Sequence, residues 1–134
     1  MRRFFSIMLL AFMIFPAMAV VSGCSKNSSE NSGYEQITQD KAKEYMDTQT
    51  DLVILDTRTQ EEFSEGHIPG AMLIPYDEID TRAEKELPDK DKLILVYCRS
   101  GRRSKIAAEA LAHLGYTNVK EFGGIIDWEY EIVK

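Results

Sequence analysis

Short apolar runs alternate with amphipathic stretches along the chain from residue 34 to the end. Three of these runs are almost continuously apolar, which is typical of strands covered on both faces of a sheet. They are LVILD at 52–56, AMLIP at 71–75 and KLILVYC at 92–98. A weaker run, VKEF at 119–122, predicts one more strand, so the pattern indicates four strands in this part of the chain.

Segments with helical spacing lie between the predicted strands. The stretch at 37–46 has Thr38 in the N-cap position of a first helix. Thr59, with Glu62 three positions later, forms a capping box that predicts a short helix through Phe63. The positions of the first helix that should face inward are Ala42, Tyr45 and Met46.

Three more helical segments follow along the chain. Residues 76–87 predict one or two short helical turns, and residues 104–114 predict a longer helix that Gly115 ends. A turn at Gly123 and Gly124 precedes a predicted terminal helix at 125–133. The inward positions of the helix at 104–114 should be Ile106, Ala107, Ala110, Leu111 and Leu114.

Strands that alternate with helices predict an α/β domain with a mainly parallel central sheet flanked by helices. In such sheets, functional sites lie beyond the carboxyl ends of the strands. Asp56, Cys98 and the Gly123–Gly124 turn each follow a predicted strand. We therefore expect these residues to meet at one edge of the sheet.

The first residues have a different pattern, that of a secretory signal. Two arginines precede an apolar run of 18 residues at 4–21, and small residues lead to Cys24. The tetrapeptide at 21–24, VSGC, resembles the lipobox of bacterial lipoproteins, which implies a signal at 1–23 and a lipid such as palmitate on Cys24. An uncleaved helical anchor is the alternative, because the run would span about 27 Å as a helix. Both interpretations place the domain outside the cytoplasmic membrane.

A polar stretch rich in Ser and Asn follows Cys24, so residues 24–33 are predicted to be a flexible tether and residues 34–134 the domain. Outside the signal there are 14 basic and 22 acidic residues, a net charge of −8. This balance argues against nucleic acid as a partner of the domain.

The chain has two cysteines, and lipid on Cys24 would leave Cys98 without a disulfide partner. Basic residues and Gly101 follow Cys98 between a predicted strand and a predicted helix. Such a loop can curl so that backbone N–H groups point at one centre, where they lower the pKa of a thiol. Forked guanidinium donors at the rim suit an anionic substrate. The loop thus predicts a nucleophilic Cys98.

The loop CRSGRRS at 98–104 resembles the active-site loop of the rhodanese family, single-domain sulfurtransferases. The stretches LDTRTQEEFSEGHIPGAMLIP at 55–75 and FGGIIDW at 122–128 are similar to other motifs of that family, in the same order. The resemblance covers about residues 37–128. It implies a small α/β domain with a persulfide intermediate on Cys98 and no cofactor.

The same resemblance implies the roles of the other site residues and the partners. The loop residues that would cradle the persulfide and bind substrate are Arg99, Ser100, Gly101, Arg102, Arg103 and Ser104. The implied donor is thiosulfate or another small anionic sulfane compound, and the acceptor is cyanide, sulfite, a thiol or an acceptor protein. Asp56 and Arg58 match the Asp-x-Arg pair of the family, which we interpret as a supporting ion pair.

The remaining candidate residues have simpler interpretations. His67 lies in a Gly-His-Ile-Pro-Gly turn and is predicted to be structural, as His113 is predicted to lie on the helix surface. Trp128 is predicted to belong to the core. No histidines, cysteines or acids have the spacing of metal ligands.

Two other functions remain as alternatives. Cysteine phosphatases and arsenate reductases of the same fold have His-Cys, five residues and then Arg. Here Tyr97 precedes the cysteine, and only four residues separate Cys98 from Arg103. The other alternative is a non-enzymatic module that binds a partner or carries a persulfide to it, and Cys98 is compatible with carriage.

Overall fold

The computed structural model describes residues 32–134, in which short strands and helices alternate. The strands are β1 (Glu35–Gln36), β2 (Leu52–Asp56), β3 (Met72–Leu73), β4 (Leu93–Cys98) and β5 (Val119–Gly124). The helices are α1 (Gln39–Thr48), α2 (Gln60–Glu65), α3 (Ile79–Glu86) and α4 (Arg102–His113). Short 3₁₀ turns lie at Tyr76–Glu78 and Ile125–Asp127.

The strands form one sheet in the order β1-β5-β4-β2-β3, and every pair is parallel. The predicted α/β class, a parallel central sheet flanked by helices, is therefore confirmed. All six residues of β4 are buried, as expected for the central strand of such a sheet. The four predicted strands are present, and β1 is an additional edge strand whose two polar, exposed residues gave no apolar signal.

The two faces of the sheet carry separate parts of the core. Alternation along β4 sends Leu95 to the face covered by α1 and the C-terminal segment, whereas Val96 faces α3 and α4. Cys98 is two residues after Val96, so the pleat directs it toward α4 as well. The cysteine therefore ends the central strand on the face where the next helix begins.

The C-terminal prediction was wrong, because residues 125–133 do not form a helix. The chain makes a 3₁₀ turn at Ile125–Asp127 and becomes extended at Trp128. The Trp128 ring is buried 5.6 Å from the ring of Phe122, and its indole N–H donates to the Glu131 carbonyl at 3.2 Å. Val133 then pairs with His67 in an antiparallel bridge. Trp128 lies in the core, as predicted. The apolar spacing of this segment therefore reflects the burial of Trp128 and not a helix.

Two details of the predicted helix at 104–114 also need correction. The helix α4 begins at Arg102, directly after Gly101. Ile106 does not face inward, since it is 41% exposed. The buried positions of α4 are Ser104, Ala107, Ala108 and Leu111. The inward face includes Ser104 because its hydroxyl contacts the cysteine, and this rotation turns Ile106 outward.

The predicted signal and nearly all of the predicted tether lie outside the described residues, and so does Cys24. Within residues 32–134, no helix has the length and apolar character needed to cross a membrane.

Candidate active site

The residues predicted to meet at one sheet edge do so. Strands β2, β4 and β5 end at Asp56, Cys98 and Gly124, and they are neighbours in the sheet. Cys98 is in register with Gly124, and Asp56 is in register with Tyr97. The carboxyl ends of three strands thus surround the start of α4.

Gly101 shapes the loop that follows Cys98. Its φ of 105° lies in the left-handed region that favours glycine, and it is the N-cap of α4. This turn places the Gly101 N–H at 3.0 Å from Cys98 Sγ and Ser104 Oγ at 3.3 Å from the same sulfur. The sulfur therefore lies between a backbone amide and a hydroxyl, in a nest suited to negative charge.

The pKa of the Cys98 thiol is lowered from its ordinary value. Burial acts to raise this pKa, since Cys98 is only 1% exposed. The hydrogen bond between Cys98 Sγ and the Ser104 hydroxyl, together with the backbone N–H groups of Ser104, Gly101 and Ser100, outweighs burial, because these N–H groups donate to the charged sulfur. The result agrees with the prediction of an activated thiol.

Gly124 holds the loop against the end of β5. A Cβ atom at this position would lie 2.0 Å from the Arg99 carbonyl oxygen, so no side chain fits. The Ile126 N–H donates to the same oxygen at 3.1 Å. The glycine pair, which was predicted to form a turn, instead ends the strand, and Gly124 lets the loop backbone pack closely against it.

Glu121, which was not among the predicted site residues, lies behind Ser104. Its side chain is buried, and its Oε1 accepts from Ser104 Oγ at 2.6 Å and from the Gly123 N–H at 2.8 Å. A groove of about 380 Å³ opens beside it and is also lined by Gly101 and Lys105. The only local signal in the sequence is an acidic residue between Lys120 and Phe122 in the predicted strand.

Arg103 contacts α2 as well as bordering the loop. Its guanidinium donates to both carboxylate oxygens of Glu62, at 2.7 and 2.9 Å. This ion pair lowers the pKa of Glu62 to about 2, against the opposing effect of burial. The same Glu62 completes the predicted capping box with Thr59. Arg103 is thus already engaged by a carboxylate on one side.

The other basic residues near the loop have exposed side chains. Within residues 32–134, Arg99, Arg102 and Lys105 form no ion pair. Arg102 lies over the ring of Tyr76, with its guanidinium carbon 5.7 Å from the ring centroid. These three exposed basic residues beside the loop are called here the cationic rim.

Asp56 and Arg58 belong to a buried network on the far side of β4. The Arg58 guanidinium donates to Asp56 Oδ2 at 2.7 Å and to the Gly66 carbonyl at 2.7 Å. The Tyr97 hydroxyl donates to Asp56 Oδ2 at 2.6 Å and accepts from the Ile68 N–H at 3.1 Å. Burial and the neighbouring carboxylate raise the pKa of Tyr97. These contacts anchor the loop after α2 to the sheet, which fits a supporting role.

His67 makes structural contacts in the same loop. Its ring stacks on Phe63 with centroids 3.8 Å apart, and its Nδ1 lies 3.0 Å from the Phe63 carbonyl oxygen. His113, in the last turn of α4, is exposed. Cys98 Sγ forms its hydrogen bonds with Gly101 and Ser104, and within residues 32–134 it forms none with either histidine.

Comparison with known proteins relates the chain to one protein family. A family model described as Rhodanese-like domain matches residues 38–131. The Escherichia coli protein named thiosulfate sulfurtransferase PspE is 40% identical over 73 residues, which are 54% of this chain and 70% of that protein. The Bacillus subtilis protein named putative sulfur carrier protein YrkF is 38% identical over 105 residues, and the match spans 56% of its length.

Solved structures that are similar to this chain are also described as rhodanese or rhodanese-like proteins. One described as a rhodanese with anions from E. coli has a TM-score of 0.58 at 38% identity and covers 61% of this chain and 96% of that one. A rhodanese-like domain protein from Staphylococcus aureus has a TM-score of 0.61 at 33% identity, with 72% and 93% of the two chains covered.

Proposed function

This chain belongs to the rhodanese family, and we propose that it transfers sulfane sulfur through a persulfide on Cys98. Its similarity to proteins named as sulfurtransferases supports a sulfurtransferase function in general. The observation that carries the proposed mechanism is the position of Cys98 Sγ, 3.0 Å from the Gly101 N–H at the carboxyl end of the central strand.

The lowered pKa of Cys98 increases the thiolate fraction at neutral pH. In the loading step the sulfur attacks the outer sulfur of a donor such as thiosulfate. A new S–S bond forms, and the S–S bond of the donor breaks with its electron pair leaving on sulfite. The Gly101 N–H and the Ser104 hydroxyl, which contact Sγ, would then stabilise the negative charge of the persulfide.

An acceptor discharges the persulfide in the second step. Cyanide, sulfite or a thiolate attacks the outer sulfur, and the bond to Cys98 breaks with its electron pair returning to Sγ. The cationic rim of Arg99, Arg102 and Lys105 favours small anionic donors and acceptors, because it offsets their repulsion by the anionic sulfur. No cofactor is needed for either step.

Carriage of the persulfide to a protein acceptor is a second candidate, favoured by the similarity to a protein named as a sulfur carrier. The two candidates share the loading step and differ in the acceptor. Phosphatase or arsenate reductase chemistry is less favoured, because Ser104 occupies the position of their arginine. Arg103, one residue earlier, is paired with Glu62 instead.

The test of loading is the mass of the full chain after incubation with thiosulfate. We expect a gain of one sulfur atom on Cys98, with release of sulfite, and loss of the gain on addition of cyanide. Cys98→Ser should abolish the gain, whereas the matched variant Cys24→Ser should keep it. Absence of any sulfur on Cys98 with several sulfane donors would contradict the proposal.

The cellular location is a separate proposal, which rests on the signal pattern at 1–24. The mature chain would carry lipid on Cys24 and be anchored to a membrane on its extracytoplasmic side. Mass spectrometry of the protein purified from membranes should show an acylated N-terminal Cys24. An intact, unacylated N-terminal segment would contradict this proposal.

A further inference from the structure

A buried carboxyl group lies directly behind the hydroxyl that contacts the cysteine sulfur. Glu121 is 3% exposed, and its Oε1 is 2.6 Å from Ser104 Oγ. The same Oγ is 3.3 Å from Cys98 Sγ. The Ser104 hydroxyl therefore joins a thiol and a carboxyl group in one hydrogen-bonded chain, called here the Cys98–Ser104–Glu121 relay.

In the part of the chain that the structure describes, Glu121 has no cationic partner to compensate its burial. Among residues 32–134 it forms no ion pair, and its other hydrogen-bond donor is the Gly123 N–H. A buried carboxylate without a cation is costly, and sharing a proton reduces that cost. The hydrogen bonds from Ser104 and from the Gly123 N–H are therefore the contacts that compensate the burial of Glu121.

The single proton of the Ser104 hydroxyl limits how the relay is arranged. When the hydroxyl donates to a Glu121 carboxylate, Cys98 can donate as a neutral thiol to Oγ. When the hydroxyl donates to a Cys98 thiolate, a protonated Glu121 can donate to Oγ. The two arrangements have the same net charge and differ by one proton step along each hydrogen bond.

We propose that Glu121 is a positioning residue that shares one proton with Cys98 through Ser104 and so sets the thiolate fraction of Cys98 before it attacks a donor. This role rests on the proposed function. In the proton shift, the S–H bond breaks and leaves its electron pair on sulfur, the proton passes to Ser104 Oγ, and the hydroxyl proton passes to a Glu121 carboxylate. The resulting thiolate then attacks thiosulfate, so that a thiolate and thiosulfate give a persulfide anion and sulfite while Glu121 stays a carboxylic acid.

Other titratable and charged groups border the loop and contribute a background field. They are Tyr97 on β4, Arg99 in the loop, Arg102, Arg103 and Lys105 on α4, Glu62 on α2, Asp56 and Arg58 around the end of β2, and Asp127 after β5. Among the described residues, Glu121 has the one carboxyl group that contacts the Ser104 hydroxyl. The test must therefore separate this hydrogen bond from the general field.

The experiment measures the rate of Cys98 alkylation by iodoacetamide in the full chain across pH 4.5 to 9, followed on the Cys98 peptide so that Cys24 does not contribute. We expect two rising steps in the wild type, because two coupled groups titrate in separate steps. Glu121→Gln keeps the shape of the side chain and should leave one step. At pH 6 this variant should be alkylated about tenfold faster than the wild type, because the negative charge of a Glu121 carboxylate no longer disfavours the Cys98 thiolate.

Control variants show whether the effect of Glu121→Gln on the alkylation rate depends on the Ser104 hydroxyl. In a Ser104→Ala background, Glu121→Gln should change the rate less than twofold, whereas Ser104→Thr, which keeps the hydroxyl, should retain two steps. Glu109→Gln removes an exposed carboxylate from α4 and should match the wild type. An equal effect of Glu121→Gln with and without the Ser104 hydroxyl, or a profile identical to the wild type, would overturn the proposal. Alkylation needs no sulfur donor, so this outcome is independent of the proposed function.

Discussion

Gly124 has an extended backbone with φ of −129°, a conformation that any residue adopts, yet its position admits no side chain. The reason is the Arg99 carbonyl oxygen, which would lie 2.0 Å from a Cβ atom there. Gly123 is a glycine for a different reason, since its φ of 92° is left-handed while a Cβ atom would meet its nearest neighbour at 3.7 Å. Adjacent glycines thus have distinct physical roles.

This difference predicts different results for two alanine variants. Gly124→Ala must move the loop away from β5, so we expect about 2 kcal/mol or more of lost unfolding free energy and a large loss of Cys98 alkylation rate. Gly123→Ala should cost about 1 kcal/mol, mainly through backbone strain, with a smaller change in rate. Urea unfolding and iodoacetamide kinetics measure both quantities. Equal effects in the two variants would contradict the assigned roles.

Sequence reasoning identified the residues of the site that are close together along the chain. Cys98 and Gly101 were predicted because a thiol followed by a glycine between a strand and a helix has a direct structural meaning. Glu121 was not predicted, because it lies 17 residues from Ser104 and no local sequence pattern indicates that the two side chains meet. The pairing of Arg103 with Glu62 joins residues 41 positions apart and was missed for the same reason.

At the scale of elements, Glu62 connects the first turn of α2 to the first turn of α4. Its carboxylate closes the capping box with Thr59 and also accepts the two hydrogen bonds of Arg103. The sequence predicted the first contact from the spacing and could not show the second. Through this residue, the short helix α2 braces the helix that begins at the cysteine loop.

The ion pair predicts how stability depends on pH. The pKa of Glu62 falls from 4.5 to about 2 on folding, so the stabilisation is complete above pH 4.5 and is lost as the pH falls toward 2. Glu62→Gln keeps the capping box, and at pH 7 it should lower the unfolding free energy by about 2 kcal/mol, after allowance for partial exposure. Measured by urea unfolding, the difference in unfolding free energy between Glu62→Gln and the wild type should vanish near pH 2.

A neighbouring residue provides the control for this prediction. Glu61 lies in the same first turn of α2 but is exposed, and it forms no ion pair with residues 32–134. Glu61→Gln should change the unfolding free energy by about 0.5 kcal/mol or less at either pH. A pH-independent loss in Glu62→Gln would show that the carboxylate charge is not the cause.

The elements that sequence patterns predicted well are those with continuous apolar runs or clear capping signals. Strand β2 was predicted with its observed bounds, and the capping box of α2 is present as predicted. The prediction of a helix at 125–133 was wrong because the apolar spacing there serves to bury Trp128 against Phe122. A tertiary contact of this kind overrides local helix preference.

At the scale of the whole molecule, the cationic rim contrasts with the negative charge of the rest of the chain. Outside the predicted signal the net charge is −8, and most basic side chains of the described residues are paired with acids. Arg99, Arg102 and Lys105, beside the cysteine loop, form no ion pair with any residue of 32–134. We therefore expect a positive field at the loop that opposes the negative field of the surrounding surface and attracts small anions.

The double variant Arg99→Gln and Arg102→Gln tests this arrangement. At low ionic strength we expect its KM for thiosulfate to rise about tenfold with kcat little changed, because the lost charges attract the dianion before it reacts. The wild-type KM should rise with added salt, and the variant KM should respond less, because screening acts on the removed charges. Steady-state sulfite release across a salt series measures these constants.

Lys85→Gln provides the matched loss of a positive charge away from the loop. Lys85 lies in the last turn of α3, close to Leu87, whose carbonyl accepts from Tyr116 beyond the carboxyl end of α4. It is therefore at the end of α4 opposite to Cys98, and it forms no ion pair with residues 32–134. Its KM and salt dependence should match the wild type. If Lys85→Gln changed the KM as much as the double variant, net charge rather than the cationic rim would attract the donor.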